Sequence, residues 1–447
     1  MNSRAAQMDN GFEGVGLAPA EVLVPALSID ITRWAVVACD QFTSQPEYWR
    51  EAEAFVGGAP SALNMILPEA YLNAPDADDR TRRILSSMRQ SIQHSETDRG
   101  LFSSFFGFAL VERRFVSGDS SVERAARVGL IAAVDLECYD YSPDSSSPIR
   151  STEGTIIERL PPRMAIRREA ALELPHILLL LQDKERSVIE PIYARRDSLR
   201  PLYDAPLMLD GGSVKGWAID NPDDIESIGS ALRSLPMADG IRVAVGDGNH
   251  SLAAARAVWL ESREQIPLEQ RATHPLRFAL AEVCNIYDDG IAFEPIHRIL
   301  YDAGMDAFLS DFRMWVDAQG GSMQIERVDQ EFSHKTDDKS AICITSDAAY
   351  VLRFDGLRFQ TVVGIVQEFL DCRPAYGKSN GSVDYIHGDD SLRELATQPN
   401  RIGILLPALD KSHLFPAIAK DGALPRKTFS MGHAREKRYY LEARKLR

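Results

Sequence analysis

Residues 241–256 read IRVAVGDGNHSLAAAR, in which a β-branched apolar run changes to an alanine-rich segment within five positions. The first part predicts a strand and the second a helix, so GDGNH is the turn between them. The first N–H groups of such a helix have no partner within the helix, and the positive end of its dipole lies behind them. The junction therefore predicts a binding site for a phosphate or carboxylate group.

Four residues of this turn are candidates for chemistry. Gly248 permits backbone conformations that other residues avoid, Asn249 is a polar side chain at the helix start, and Asp247 and His250 offer an acceptor and a titratable donor. A bare carboxylate repels phosphate, so we expect Asp247 to hold Mg²⁺ or to orient a substrate hydroxyl, and phosphate to contact the N–H groups and His250. The alternative is structural: Asp247 or Asn249 caps the helix and His250 is partly exposed.

The size and charge of the chain limit its functional class. A chain of 447 residues is expected to form two or three domains with substantial cores. Its formal net charge of -15 at pH 7 argues against duplex DNA or an anionic membrane as a general partner, because both are polyanions. We therefore expect a small-molecule partner at a local anion site, and no nucleic acid or membrane.

The apolar segments and cysteines predict a cytoplasmic protein. The longest strongly apolar stretch, around Ile177–Leu181, is far shorter than the roughly 20 residues of a membrane helix, and the N-terminus lacks the apolar core of a secretory signal. The five cysteines are odd in number, widely spaced and without a Cys-x-x-Cys pair, which favours neither a zinc site nor a disulfide framework. We expect no zinc, haem, flavin or iron–sulfur cofactor.

Mixed hairpins and helices, rather than a regular alternation of strands and helices, predict an α+β fold, that is, a mixed α/β chain of several domains. The Ser/Pro-rich segment YSPDSSSPIR predicts a linker with a boundary near residue 145. The expected segments are a flexible tail over 1–21, an α/β domain over 22–145, a central domain with the GDGNH turn over 146–290, and a C-terminal α/β domain with a basic tail over 291–447.

Hydrophobic periodicity predicts individual elements in these domains. The predicted hairpins pair 105–116 with 128–141, 177–182 with 188–193, and 206–209 with 214–218. The other predicted strands are 34–39, 278–286, 341–344, 349–354 and 402–406, and the predicted helices include 47–56, 297–316 and 362–370.

The segment RSTEGTIIERLPPR places Glu153 among several arginines, including Arg150 and Arg163. A carboxylate flanked by arginines suits proton abstraction beside a polyanion. Alternatively, the segment is a solvated loop whose arginines pair with neighbouring glutamates.

A second basic segment, FEPIHR, places His297 and Arg298 at the predicted start of a helix that follows a strand. Side chains in this position could contribute to an anion site. A loop histidine beside a surface arginine is the alternative.

The last 23 residues carry eight lysines and arginines against two glutamates, a local reversal of the overall charge. Arg426, Lys427 and His433, followed by Lys437 and Arg438, could wrap a polyphosphate or a substrate carboxylate. A solvated basic face is equally compatible with this pattern.

Five segments, in order, resemble the bacterial and archaeal family called domain of unknown function 1015: WAVVACDQFTSQPEYW, RSTEGTIIERLPPR, VGDGNHSLAAA, EPIHRIL and LPRKTFSMGHAREKRYYLE. The resemblance extends from about residue 22 to the C-terminus. The strand–turn–helix unit of that family is in turn similar to the ParB/sulfiredoxin superfamily, which includes nucleotide-binding partition proteins, sulfiredoxin and free serine kinases. The resemblance implies a central ParB/sulfiredoxin-like core.

Carried onto this sequence, the kinase pattern of an upstream glutamate and a DGHHR turn implies that Glu153 is the base. Asp247 and His250 would then act on the substrate and the phosphates.

The chain departs from this pattern at two positions, because Asn249 replaces the first histidine and Ser251 stands where the kinases have arginine. The missing arginine removes a bidentate phosphate donor, which Arg163, Arg426 or Lys427 would have to replace.

The leading hypothesis is a phosphotransferase that acts on a small hydroxylated metabolite, serine-like by resemblance, with Mg²⁺ and a nucleotide or pyrophosphate. Glu153 would take the hydroxyl proton, while Asp247 would orient the hydroxyl or Mg²⁺. Two alternatives stay open: phosphoserine hydrolysis or phosphoryl exchange, and a non-catalytic protein that binds a nucleotide or metabolite. The donor, the acceptor, the direction of the reaction and the choice between monomer and homodimer also stay open.

Overall fold

The computed structural model describes residues 12–95, 100–116, 125–237, 240–329, 337, 339–358, 361–376, 382–425 and 427–447. These residues form a mixed α/β structure, as predicted. The chain divides into two compact units, Met1–Ile291 together with Gly432–Arg447, and Ala292–Met431. Within the described ranges, no helix is long and apolar enough to cross a membrane.

The helices are α1 (Ile31–Trp34), α2 (Pro46–Val56), α3 (Ala77–Ser95), α4 (Leu160–Glu169), α5 (Glu190–Tyr193), α6 (Pro222–Ser234), α7 (Asn249–Arg263), α8 (Leu268–Arg271), α9 (Met305–Ala318), α10 (Val362–Tyr376), α11 (Asp389–Ala396) and α12 (Lys411–Asp421).

The strands are β1 (Leu17–Ala18), β2 (Ala20–Pro25), β3 (Val36–Val37), β4 (Phe102–Arg114), β5 (Arg127–Asp135), β6 (Tyr139–Asp140), β7 (Ile149–Ser151), β8 (Leu172–Glu173), β9 (Leu178–Leu181), β10 (Arg200–Pro206), β11 (Ser213–Ile219), β12 (Val243–Asp247), β13 (Phe278–Asn285), β14 (Glu294–Tyr301), β15 (Ser322–Val328), β16 (Ser340–Ile344), β17 (Ala349–Asp355), β18 (Val383–His387), β19 (Arg401–Leu405), β20 (Phe429–Ser430), β21 (Tyr439–Tyr440) and β22 (Arg444–Lys445).

One large mixed sheet organises the first unit. Its strands follow the order β10–β11–β4–β5–β13–β9–β12–β7–β6, and β1 and β2 pair with β5 and β4. Strands β9 and β13 are buried at every position, as the uninterrupted apolar run of β9 requires. Strands β7 and β12 are parallel neighbours, with Val245 opposite Ser151. The segments that follow these two strands therefore leave the sheet at the same edge.

Two parts of the chain that were expected to lie outside folded domains belong to this sheet. The Ser/Pro-rich segment near residue 145 connects β6 to β7, which pair in parallel, so it does not separate two domains. A flexible tail was expected over residues 1–21, but from residue 12 onwards the chain is folded. Phe12 and Val15 are buried, and β1 and β2 pair with the sheet. Residues 1–11 lie outside the described ranges.

The predicted hairpin of β4 with β5 is confirmed. The predicted hairpin that ends in β11 is present, but its first strand is β10, at 200–206 rather than at the predicted 206–209, and residues 207–209 lie in the connection. The strand predicted over 188–193 is wrong, because these residues lead into helix α5. The carboxylate of Asp183 accepts hydrogen bonds from the N–H groups of Ser187 and Val188 at 2.6 and 2.8 Å, which closes a turn instead of a hairpin. Pro191 lies in the first turn of α5, where proline favours a helix.

The second unit contains its own sheet, with the strand order β15–β17–β16–β19–β14–β18 and β20 paired with β14.

The predicted strands that became β16, β17 and β19 are confirmed, whereas the helix predicted over 297–316 is wrong in its first half. Those residues form β14, which is hydrogen-bonded to β18 and β19. Pairing on both sides outweighs the local helical pattern, and α9 begins only after Asp302, at φ 53°, and the N-cap Gly304.

Charged side chains are buried beside β13 in the first unit. Glu282 accepts hydrogen bonds from Arg127 at 3.2 Å and from Arg438 at 2.5 Å. Arg438 also pairs with Glu442, which accepts a hydrogen bond from the Tyr203 hydroxyl. Burial raises the pKa of Glu282, but the two arginines outweigh burial and lower this pKa to about 2. This buried charge cluster, Arg127, Tyr203, Glu282, Arg438 and Glu442, attaches the C-terminal segment to the sheet.

We expect Glu282→Gln to lower the free energy of unfolding by about 3–5 kcal/mol, because it leaves the buried Arg127 without its counter-ion and removes one of the two carboxylates that pair with Arg438. Since the pKa of Glu282 falls on folding from 4.5 to about 2, its stabilising contribution is complete above pH 4.5 and is lost as the pH falls towards 2. Urea unfolding of both proteins between pH 7 and pH 2 measures this contribution.

The matched control is Glu47→Gln, which breaks an exposed ion pair with Arg50 and should cost less than about 1 kcal/mol. If both variants lost equally little stability, the buried charge cluster would not be a main determinant of this fold.

Candidate functional site

The turn between β12 and α7 has the geometry that the sequence predicts. Gly248 is the N-cap of α7 with φ 82° and ψ 26°, in the left-handed region. The positive φ favours glycine, and a Cβ atom at this position would lie 3.0 Å from the Cα of Ile177, a contact tight enough that the neighbouring backbone would have to shift. The N–H of Gly248 donates to Oδ1 of Asp247 at 2.9 Å, and the cap residue has no side chain to cover the helix N-terminus.

Lys437 lies directly against this turn. Its Nζ is 3.1 Å from Oδ2 of Asp247, and their side chains are 12% and 28% exposed. Lys437 precedes Arg438 of the buried charge cluster, and β21 pairs with β3, so the C-terminal segment has a defined position. The C-terminal segment therefore contributes one cation, Lys437, to the turn, while Arg438 is an internal structural residue.

The segment that contains Glu153 reaches the same turn. The Ser151 hydroxyl lies 2.5 Å from Oδ1 of Asn249 and 2.7 Å from the carbonyl oxygen of Glu153. The Thr152 hydroxyl donates to the carbonyl oxygen of Val245 at 2.6 Å. Parallel pairing of β7 with β12 thus brings together two motifs that lie almost a hundred positions apart in the sequence.

His250 accepts a hydrogen bond at Nε2 from the N–H of Ile156, at 3.2 Å. This contact attaches the loop after β7 to the first turn of α7, as does the contact of Ser151 with Asn249. Asn249 and His250 of the turn therefore attach it to the segment that contains Glu153. Any contact of His250 with phosphate would have to come from Nδ1 or follow rotation of the ring.

The two arginines predicted near Glu153 have protein partners. Arg163 of α4 forms an ion pair with Glu69 and donates to the carbonyl oxygen of Arg159 at 2.7 Å. Nε of Arg150 donates to the carbonyl oxygen of Ser147 at 2.9 Å. These contacts fit structural roles. The cation that lies beside the turn is Lys437, which was not among the residues expected to replace the missing arginine, Arg163, Arg426 and Lys427.

Ser251, on the first turn of α7, is hydrogen-bonded to His176, which is hydrogen-bonded in turn to Tyr440. Its hydroxyl is 2.8 Å from Nε2 of His176, and Nδ1 of His176 is 2.7 Å from the hydroxyl of Tyr440. The Tyr440 hydroxyl also accepts the N–H of Cys39 at 3.1 Å. The position where related proteins were expected to carry arginine thus holds a serine bonded to a histidine. No local pattern in the sequence marked His176.

Asp40 is a further charged group that the sequence analysis did not single out. Burial raises its pKa, but the charge of His176, a 2.9 Å hydrogen bond from Gln41 and the charge of Lys437 outweigh burial and lower this pKa. Asp40 is therefore ionised at neutral pH. It follows β3, and the pairing of β3 with β21 explains its position among these groups.

The candidates His297 and Arg298 lie in the second unit, on strand β14 rather than at a helix start. Both are almost completely buried. His297 contacts Asp389 at 2.8 Å and accepts the N–H of Leu406 at 3.1 Å, and Arg298 donates to Gln367 at 2.9 Å. These partners lie within the second unit and give both residues structural roles.

The remaining tail candidates are spread over both units. Lys427 accepts a hydrogen bond from Arg298 with its backbone carbonyl oxygen, at 2.9 Å, within the second unit. His433 is exposed in the first unit, and its N–H donates to Glu436 at 3.1 Å. Arg426 lies outside the described residues.

The groups around Asp247 do not fit a protein-held Mg²⁺ site. Lys437 already neutralises its carboxylate, and the described part of the chain contains no group of three or more histidine, cysteine, aspartate or glutamate side chains that could hold a metal ion. We therefore assign no step to a resident metal.

Comparison with protein families gives one match, over residues 23–373, to the family described as "Protein of unknown function (DUF1015)". The chain belongs to this family. Comparison with curated proteins finds no match.

This DUF1015 chain is also similar to solved structures of low sequence identity. A free serine kinase mutant in complex with ADP is 9% identical, with a TM-score of 0.40, over 72% of this chain and 95% of that chain. A conserved hypothetical protein from Pyrococcus furiosus is 9% identical, with a TM-score of 0.34, over 71% of this chain and 93% of that chain.

We expect Gly248→Ala to abolish stabilisation of the protein by pyrophosphate, because the new Cβ forces the turn away from Ile177. Thermal unfolding at increasing pyrophosphate concentration measures binding to the folded state. The control is Gly320→Ala, which has a similar φ of 77° but no atom within 4 Å of the new Cβ. Both variants should lose roughly 1–2 kcal/mol of stability. A full pyrophosphate response in Gly248→Ala would contradict anion binding at this turn.

Proposed function

We propose that this chain is a phosphotransferase that moves a phosphoryl group from a nucleotide or pyrophosphate to the hydroxyl of a small metabolite. The observation that carries this proposal is the Asp247–Lys437 pair at the N-terminus of α7, beside the loop that contains Glu153. A cation, a helix N-terminus and two acidic residues at one sheet edge supply the groups that phosphoryl transfer needs.

The phosphoryl group binds at the start of α7. Gly248 allows the backbone to approach the ligand closely, and the helix N-terminus attracts its negative charge. Lys437 is mostly withdrawn from solvent, so its charge is screened less than that of a surface lysine. It stabilises the negative charge on the transferring group, which is where catalysis of phosphoryl transfer mainly arises.

The hydroxyl group of the acceptor is activated on the acidic side of the site. Asp247 is fixed by Lys437 and by the N–H of Gly248, and therefore orients the hydroxyl. Glu153 takes the hydroxyl proton while the oxygen attacks the terminal phosphorus of the donor. The bond from phosphorus to the leaving phosphate oxygen breaks, and the leaving group keeps the electron pair.

The test is to incubate the full chain with Mg²⁺, one donor (ATP, ADP or pyrophosphate) and a panel of hydroxylated acceptors that includes L-serine. Phosphorus NMR should detect a phosphorylated acceptor. We expect Glu153→Gln to lower kcat by about 10²–10⁴-fold, as loss of a general base does. Lys437→Met should lower kcat by about 10²–10³-fold, as loss of one group that stabilises transition-state charge does.

The control for Lys437→Met is Lys215→Met, which removes a lysine from an exposed ion pair with Asp204 and should leave turnover unchanged. Undiminished turnover in Glu153→Gln would remove Glu153 from the mechanism. Phosphate release from phosphoserine without a nucleotide, or tight ligand binding without turnover, would contradict the proposed direction or the proposed catalysis.

A further inference from the structure

Ser251 and His176 have the arrangement of a nucleophile and its general base. The hydroxyl of Ser251 lies 2.8 Å from Nε2 of His176, and both residues are partly exposed. A serine hydroxyl becomes a good nucleophile when a neighbouring base takes its proton and a third group holds that base in place. Tyr440 supplies the third group, because its hydroxyl is 2.7 Å from Nδ1 of His176.

The surroundings of Tyr440 decide which ring nitrogen of His176 carries the proton. The hydroxyl of Tyr440 accepts the N–H of Cys39 at 3.1 Å. Burial, electrostatic repulsion from the Cys39 side chain and a hydrogen bond to that side chain raise the pKa of Tyr440, so the hydroxyl keeps its proton and directs it to the sulfur. Its remaining lone pair accepts Nδ1–H of His176, which leaves Nε2 free to accept the proton of Ser251.

Charges that develop during such a reaction are stabilised on both sides of Ser251. Asp40 is ionised at neutral pH and interacts electrostatically with His176, and a carboxylate in this position stabilises the imidazolium that forms. The start of α7 attracts negative charge on the attacked carbonyl oxygen. The N–H of Asn249, the first residue of α7, has no hydrogen-bond partner in the described part of the chain and can donate to this oxygen.

A cavity of about 160 Å³ in the first unit adjoins the nucleophile, because Ser251, His176 and Tyr440 all lie in its wall. An apolar cavity of about 150 Å³ accommodates a benzene molecule, so the volume suits a group of about six carbon atoms. Most of the wall is apolar and includes Met65, Leu67, Leu72, Met88, Ile166 and Leu174.

The charged side chains of the cavity wall neutralise one another. Arg163 forms an ion pair with Glu69, and Arg167 forms an ion pair with Glu173 at 2.5 Å. The wall therefore offers neither an unpaired cation nor an unpaired carboxylate to a ligand. An uncharged apolar group fits it best, since a charged group would leave water without a counter-ion to receive it.

We propose that Ser251 is the nucleophile of a second activity, the hydrolysis of a carboxylic ester whose uncharged, apolar acyl group occupies the cavity. Nε2 of His176 takes the hydroxyl proton while Oγ of Ser251 attacks the carbonyl carbon. The bond from this carbon to the alcohol oxygen breaks, and His176 gives the proton to the departing alcohol. Water then attacks the acyl-serine in the same way, which releases the carboxylic acid and restores Ser251. This activity goes beyond the proposed function and uses no phosphoryl donor.

The first test is reaction of the full chain with a fluorophosphonate, whose phosphorus an activated serine attacks with loss of fluoride. Mass spectrometry of the intact chain and of its peptides should show a single adduct, on Ser251. His176→Gln should slow labelling by about 10²–10⁴-fold, as loss of a general base does. The control is Ser198→Ala, which removes an exposed hydroxyl that donates to a backbone carbonyl and should leave labelling unchanged.

Absence of an adduct from the unmodified chain, or an adduct on another residue, would overturn the proposal even if a variant fails to fold. Circular dichroism identifies the variants that fold. Labelling of Ser251 at an undiminished rate in folded His176→Gln would also overturn it.

Tyr440 acts through His176 and is therefore a positioning residue. Tyr440→Phe keeps the ring and removes the hydroxyl that holds Nδ1. The maximal rate of labelling should fall about tenfold, as expected for loss of one such hydrogen bond, while the fluorophosphonate concentration that gives half of this rate stays unchanged. An unchanged maximal rate would contradict the positioning role.

The second test compares hydrolysis of 4-nitrophenyl hexanoate and 4-nitrophenyl acetate. The value of kcat/KM should be at least about tenfold higher for the hexanoate, whose longer chain buries more apolar surface. Ala254→Leu and Ala170→Leu each fill the cavity from its wall and should remove this preference. The control is Ala54→Leu, at an exposed position of α2 outside the wall, which should retain it. Equal kcat/KM values for the two esters in the unmodified chain would overturn the proposal.

The two proposed activities can fail separately. Ester hydrolysis and labelling of Ser251 without any phosphoryl transfer would refute the proposed function and support the nucleophile. Phosphoryl transfer in a chain that forms no adduct on Ser251 would support the proposed function and refute the nucleophile.

Discussion

Glu282 lies between Arg127 and Arg438, and all three side chains are almost completely buried. Moving such charges out of water is costly, and only their mutual attraction and hydrogen bonds offset that cost. The arrangement therefore tolerates little displacement of the segment that carries Arg438. Because Lys437 and Tyr440 are its near neighbours in the sequence, the same constraint places the lysine against Asp247 and the tyrosine against His176.

The parts of the candidate site that local sequence encodes were predicted. The change from β-branched to alanine-rich residues indicates β12 and α7, and the required glycine between them is visible in the sequence. The hairpin of β4 with β5 is likewise local, because each strand pairs with the next one along the chain. For the hairpin of β10 with β11, the second strand was predicted and the first was placed too late in the sequence. Hydrophobic periodicity is sufficient for such elements.

The contacts that assemble the site were not predictable in the same way. Ser251 meets His176 and Asp247 meets Lys437 across long stretches of chain, and only strand pairing brings these residues together. Non-local pairing also explains the error at His297, since hydrogen bonds to β18 and β19 outweigh a local pattern that resembles a helix. The composition of the tail gives no way to tell its basic residues apart. In the structure, however, Lys437 contacts Asp247 of the turn, whereas Arg438 is buried among charged side chains.

The first unit is discontinuous in sequence, because Gly432–Arg447 return to it after the whole of the second unit. During synthesis the N-terminal part emerges first, when β3 has no β21 to pair with and Glu282 has only Arg127 as its buried counter-ion. The groups around the turn can therefore assemble only after residues 432–447 have been synthesised. A chain that ended before residue 432 would lack both Lys437 beside Asp247 and Arg438 beside Glu282, so it would lose a charged group of the candidate site and a buried ion pair of the sheet together.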